Sequence, residues 1–393
     1  MKFLLVVLCL LASSLSACRR ADEKIPAHAA VPDSMLGLPP LMPPAANFPS
    51  PAKIALGRKL FMDRRLSYNN TMSCAMCHLP EQGFTSNELA TPIGFEGQSL
   101  RRNAPTLLNV AYVRQLFHDG RAASLESQAW GPLLAANEMA NPGADHVIRK
   151  IKAMTDYRDM FETAFNGFGA NQETIAAALA SYERTLLSGN SRFDRWYFGQ
   201  EKAAMNSSEQ AGFGIFSGKA NCIACHGIGE KSALFADGRF HNTGIGWLRS
   251  MEKTAEKHSI QLVPGLRVDV DERTLQSVSE PTPSDTGRYE VTHNAADRGA
   301  YRTPTLRNIA LTAPYMHDGS LTTLEQVVEF YERGGIDNPG KDNLLKPLHL
   351  SVDEKRDLVA FLGALNGGNV KKLEIQARTE AAAIEHRSAI RKP

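Results

Sequence analysis

The sequence predicts an all-α fold made of two copies of one domain, and three observations predict it. The pentads Cys74-Ala75-Met76-Cys77-His78 and Cys222-Ile223-Ala224-Cys225-His226 share the spacing C-x-x-C-H. A 23-residue segment recurs without gaps 199 positions further on. Apolar residues recur at helical spacing ahead of each pentad, and no stretch shows the sustained alternation of a strand.

Each pentad reads as an attachment site for c-type haem. Cys74 and Cys77, and likewise Cys222 and Cys225, would form thioethers with the haem vinyls, while His78 and His226 become proximal iron ligands. The spacing lets one helical turn supply all three bonds. A zinc site would want paired C-x-x-C units sharing one ion, and a redox dithiol does not need the trailing histidine. The two pentads account for every cysteine beyond residue 18, so two covalently bound haems are expected and no disulfide.

The chain opens on Met1-Lys2, an apolar run from Phe3 to Leu15, and Ser16-Ala17-Cys18. That is a leader of signal-peptide form over 1–17, too short to span a membrane. Leu15-Ser16-Ala17-Cys18 resembles a bacterial lipobox, in which Cys18 is acylated and becomes the mature N-terminus. Export to the periplasm, with the lipid at Cys18 as the membrane anchor, fits haem attachment on the far side of the membrane. The full chain carries +2, and loss of Lys2 with the leader leaves +1. No basic tract suggests nucleic acid.

Residues 18–51 are rich in Pro and Ala and read as a tether. The remaining length suits two domains, 52–195 and 196–370. Ile54–Met62 and Ala211–Phe216 read as helices ahead of the two pentads. Ile148–Phe165 and Glu173–Leu187 read as amphipathic helices. Ser351-Val352-Asp353-Glu354 is a capping box opening a helix through Leu365, stopped by Gly367-Gly368. The tail 371–393 is charged and reads as an exposed or frayed helix.

The repeat aligns residues 104–126 with 303–325, and ten of the 23 positions are identical, among them His118/His317, Asp119/Asp318 and Gly120/Gly319. Each copy follows one pentad, so the unit is a haem domain and the architecture a duplication. Comparing the copies addresses the sixth ligand of each iron. No histidine lies between His78 and His118 to cap the first haem. At the same offset Tyr331 corresponds to Pro132; proline cannot ligate iron, whereas a tyrosine oxygen can. The expectation is an open haem 1 and a haem 2 closed by Tyr331. Met316 and His317 are rival ligands, but their counterparts Phe117 and His118 point to a shared structural task. Gln128 and Glu138 answer to Val327 and Asp337 in the second copy. A carboxylate over an open iron can shuttle a proton between peroxide oxygens, and an amide can hold the peroxide.

From about Ala52 to Leu365 the chain resembles the bacterial dihaem cytochrome c peroxidases and their MauG branch. The resemblance is carried by the pentads, Arg102-Asn103-Ala104-Pro105-Thr106, Asp119-Gly120-Arg121, Glu138-Met139, His241-Asn242-Thr243-Gly244 and Thr303–Asn308. The run Thr312–Gly319 completes it. It implies an all-α pair of cytochrome c domains with a calcium ion at the haem interface, held by the Asn103 side chain and the carbonyls of Thr312 and Pro314. It implies that Gln128 and Glu138 are the distal catalytic pair, with hydrogen peroxide as substrate. Tyr331 takes the position of an axial methionine in many members and of an axial tyrosine in MauG. Phe95 stands where many members carry a distal histidine, and both departures point to the MauG branch. His118 replaces a tryptophan often found between the haems. Phe216–Ala220 lacks the surface tryptophan through which MauG oxidises its precursor protein.

The reading is therefore an exported dihaem peroxidase. Its electrons come from a small cytochrome c or cupredoxin, or from a substrate protein whose side chain is modified. A non-catalytic dihaem electron carrier is the rival from another class, and it would gain nothing from an open iron.

Overall fold

The computed structural model describes residues 35–251, 257–263, 266–271 and 285–379. The leader, the lipobox cysteine and the first part of the tether lie outside the described residues. The first domain contains α1 (Pro51–Met62), α2 (Leu125–Gln128), α3 (Trp130–Leu134), α4 (Ala144–Ala153), α5 (Thr155–Phe165) and α6 (Gln172–Glu183). The second contains α7 (Arg192–Tyr197), α8 (Ser207–Ser217), α9 (Ile245–Met251), α10 (Tyr289–Thr292), α11 (Leu324–Glu332) and α12 (Val352–Gly363).

Local chemistry starts these helices where it should. Ser50 caps α1 with Pro51 at its first turn, and Asn171, Asn206 and Ser351 form reciprocal capping boxes with Thr174, Glu209 and Glu354. The helix expected over Ile148–Phe165 is two helices. Met154 is extended at φ −88°, ψ 106° and separates α4 from α5. This break turns Tyr157 and Phe161 onto the same core as Val147 and Ile151.

In each domain the helix ahead of the pentad, α1 or α8, crosses α6 or α12 in close contact, and each crossing depends on one glycine. A β-carbon on Gly57 of α1 would meet Ala178 O of α6 at 1.8 Å, and one on Gly212 of α8 would meet Asp357 O of α12 at 1.9 Å. An aromatic residue, Tyr182 or Phe361, flanks each crossing. The same contact made twice is the duplication expressed in packing.

The domains are joined by hydrogen bonds that exchange equivalent residues. Asn103 N donates to His317 O at 2.7 Å, and Arg302 N donates to His118 O at 2.8 Å. Asn103 and Arg302 are related by the repeat offset, as are His118 and His317, so the two bonds form a reciprocal pair. Asn109 and Asn308, both left-handed at φ 64° and 62°, act alike. Their side-chain oxygens accept from Ser188 N and Gly367 N, each at 2.8 Å. Asn tolerates this conformation better than other side chains, which accounts for its presence in both copies.

Three features depart from expectation. Residues 35–50 are not a free tether: Gly37 O accepts from Ala233 N and Arg307 Nη2, and Asn47 Nδ2 donates to Ala177 O at 3.0 Å, so the segment is strapped across both domains. Residues 370–379 are helical, with Val370 and Ala377 buried in the first domain's core rather than exposed. Two antiparallel ribbons also occur, β1 (Phe240–His241) with β4 (Tyr301–Arg302) and β2 (Lys257–Val263) with β3 (Leu266–Asp271). The alternation of Leu266, Val268 and Val270 in β3 is short and flanked by charge, and this kept it below notice.

Candidate functional site

Each pentad begins in a tight helical turn. His78 N bonds Cys74 O at 3.0 Å and His226 N bonds Cys222 O at 2.9 Å, so one turn brings both thiols and the imidazole to one side. None of the four cysteines is in a disulfide. His78 Nδ1 lies 3.2 Å from Phe84 O, and His226 Nδ1 lies 2.8 Å from Phe235 O. An Nδ1–H donated to a carbonyl leaves Nε2 with its lone pair, the state of an iron-ligating histidine. Burial reinforces it, pushing His78 down to about 4 and lowering His226 as well. Phe84 and Phe235 are fully buried and both have positive φ, 57° and 51°. Such a conformation is rare for a bulky residue, and here it aims the carbonyl that orients each imidazole.

Cys77, His78, Cys222, Cys225 and His226 line one continuous cavity between the domains, together with His118, His317 and Tyr301. Its donor set, two reduced thiol pairs each with a neutral imidazole, fits two covalently attached haems.

The structure brings Gln128, Pro132 and Glu138 to the cavity wall on the His78 side. Burial raises the Glu138 carboxyl above the usual range, opposed by the Arg121 charge. Tyr331 lines the same cavity beside Cys222 and Cys225; burial first, then those thiols, push its phenol up. Among the described residues its hydroxyl has no hydrogen-bond partner. Phe95 packs edge-on to Tyr68 with ring centroids 6.2 Å apart, and its backbone N–H bonds Asn137 O next to Glu138. It supports the loop carrying Glu138 and is not among the cavity-lining residues. His118 is half-buried, its Nε2 lies 2.9 Å from Asn103 O, and desolvation pushes it down to about 3. His317 stacks on Tyr301 at 3.5 Å. Asn103 donates its side-chain amide to Ala90 O, and Thr312 and Pro314 lie on the cavity wall with it.

Two arrangements escaped sequence reasoning. Glu183, the last residue of α6, faces the cavity with Oε2 unpartnered, and burial pushes its carboxyl up to about 8. The glycine-bearing crossings align it with Leu362 of α12, so the acid belongs to the first pocket alone. His241 is held between Asp342 Oδ2 at 2.5 Å and Asp237 Oδ2 at 2.8 Å, beside Cys225. The Cys225 sulfur foremost, then both carboxylates, push its imidazole up to about 10. The 101 residues separating His241 from Asp342 leave no local signal of that contact.

Comparison with known proteins now decides the family. Residues 51–202 match the family described as di-haem cytochrome c peroxidase. The chain is 39% identical over 332 residues to cytochrome-c peroxidase IdrP1 of Denitromonas iodatirespirans, covering 84% of this chain and 85% of that protein. The chain belongs to the di-haem cytochrome c peroxidase family. The methylamine utilization protein MauG of Methylorubrum extorquens is 37% identical over 325 residues, covering 82% of this chain and 80% of MauG. The solved structure of a MauG-like protein associated with microbial copper homeostasis superposes with a TM-score of 0.68 at 32% identity, covering 86% of this chain and 96% of that one. Membership makes this chain an oxidoreductase of the cytochrome-c peroxidase family, with two c-type haems at Cys74/Cys77 and Cys222/Cys225, peroxide as the family's substrate and a cytochrome c as its donor.

Proposed function

We propose that this chain reduces hydrogen peroxide at the first haem with electrons relayed through the second, in the MauG-like manner. One observation carries the reading: Tyr331 faces the second pocket where its counterpart, Pro132, faces the first. When bound, the haems supply an iron for O–O cleavage in the first pocket and an electron relay in the second. Pro132 offers no ligand and leaves the distal side of the first pocket free. Gln128 holds the peroxide through its amide. Glu138, whose carboxylate burial makes more basic, would accept a proton from one peroxide oxygen and return it to the other. Tyr331 closes the second pocket with its phenol oxygen. The overall balance is one peroxide, two electrons and two protons to two waters. Asn103 Oδ1 with the carbonyls of Thr312 and Pro314 would hold a calcium ion; neutral oxygens suit a hard cation. Export and a lipid anchor at Cys18 complete the proposal.

Electron paramagnetic resonance of the ferric protein tests it. One high-spin and one low-spin signal are expected. Two low-spin signals would sink the open first pocket and favour a plain electron carrier.

A further inference from the structure

A network of eight aromatic rings fills the second domain between its cavity wall and its surface, and the mechanism above does not use it. Phe216 of α8 lines the cavity near Cys222. Its ring lies 5.0 Å from that of Phe361, which lies 5.6 Å from Phe213. Phe213 in turn touches Trp196 at 5.4 Å and Tyr197 at 5.6 Å, edge to face. Trp196 is half-buried and Tyr197 is 38% exposed. Phe193, at the centre, contacts Trp196, Tyr197, Phe198, Phe213, Phe235 and Phe361.

Three properties distinguish this network from an ordinary core. It runs unbroken from the wall of one haem pocket to solvent. Its outer end consists of the two side chains, an indole and a phenol, that are most readily oxidised among aromatics. It belongs to the second domain only. The ring pairs of the first domain, Phe61 with Tyr182, Tyr68 with Phe95, and Tyr157 with Phe161 and Phe165, include no tryptophan, and Trp130 is buried in that domain's core. Phenylalanine is too hard to oxidise to hold a charge, but closely packed rings shorten the through-space gaps at which electron transfer fails.

We propose that Trp196 and Tyr197 are the relay through which electrons enter the second domain, from a donor protein carrying a one-electron metal centre near its surface. The inference rests on the peroxidase reading. Each donor electron fills a vacancy on Trp196 or Tyr197, which has itself given one electron inward past Phe213, Phe361 and Phe216. Two such transfers balance one peroxide.

The test uses full-length dihaem protein, hydrogen peroxide and no donor, so that oxidising equivalents must leave through the protein. Freeze-quench paramagnetic resonance and peptide mass spectrometry are read on wild type, Trp196→Phe, the double variant Trp196→Phe/Tyr197→Phe, and Glu138→Gln. The wild type is expected to form a tryptophanyl or tyrosyl radical and to accumulate oxidation at Trp196 or Tyr197. The double variant, with its ferric haem spectrum unchanged, is expected to lose that radical and to keep its oxidised haem state about 10-fold longer or more, as a closed escape route requires. A radical and decay rate unchanged in the double variant overturn the relay. So does equal oxidation of Trp196 in Glu138→Gln, which would mean direct attack by peroxide. Wild-type haems left unoxidised by peroxide would instead remove the peroxidase reading, and the relay with it.

Discussion

The two haem pockets share a plan and differ at a handful of positions, and those positions hold the chemistry. Both orient a pentad histidine through a left-handed phenylalanine, and both close with a glycine-bearing helix crossing. Around the first pocket stand Pro132, Gln128, Glu138 and Glu183; around the second stand Tyr331, Val327 and Leu362, with a wall of aromatic rings. Duplication supplied two equivalent sites. Substitution of side chains, with the backbone contacts kept, gave the first pocket an amide and two carboxyls where the second has Val327, Tyr331 and Leu362.

Exchanging residues between the halves should break this comparison, most severely at Arg307. The guanidinium is fully buried and bidentate on Asp194 at 2.9 Å, where the first half has Leu108. Arg307→Leu strands the Asp194 carboxylate and is expected to cost about 3–5 kcal/mol in thermal or denaturant unfolding of the holoprotein. Glu138→Gln should slow the reaction of the ferric protein with peroxide by roughly 10²-fold, measured by stopped-flow, with two haems still bound. A wild-type rate would remove Glu138 as the acid–base group.

Smaller effects sharpen the contrast. Tyr331→Phe should alter the low-spin haem spectrum while haem content stays at two, and an unchanged spectrum would exclude the phenol as a ligand. Glu183 tests the first pocket's polarity through stability. Its folded carboxyl, at about 8 against the usual 4.5, holds a proton that the unfolded chain has released. Stability therefore falls as pH rises between those values, with a slope of at most about 1.4 kcal/mol per pH unit. Glu183→Gln should flatten that slope in unfolding experiments run from pH 5 to 8, and an unchanged slope would show that Glu183 is ionised in the folded protein.

Much of this was legible in the sequence, because its signals are local or periodic. The pentads, the ungapped repeat and the capping box at Ser351 each lie within a few residues or at a constant offset. The Pro132/Tyr331 contrast was visible because the repeat supplies a register. Glu183/Leu362 was not, since the last helices of the domains align at a different offset after insertions. Contacts such as His241 with Asp342, or Gly37 with Arg307, join distant segments and leave no trace in composition. The strap at 35–50 reads as Pro-rich linker because proline-rich extended chain looks alike whether it is solvated or docked.

The shared cavity has a consequence for biogenesis. Its walls come from both domains, its seam is tied by the exchanged Asn103–His317 and Arg302–His118 bonds, and the ends of the described chain, at 35–50 and 370–379, clasp the outside. Haem ligation and docking of the halves are thereby linked, because each half supplies part of the wall that the other half's porphyrin would rest against.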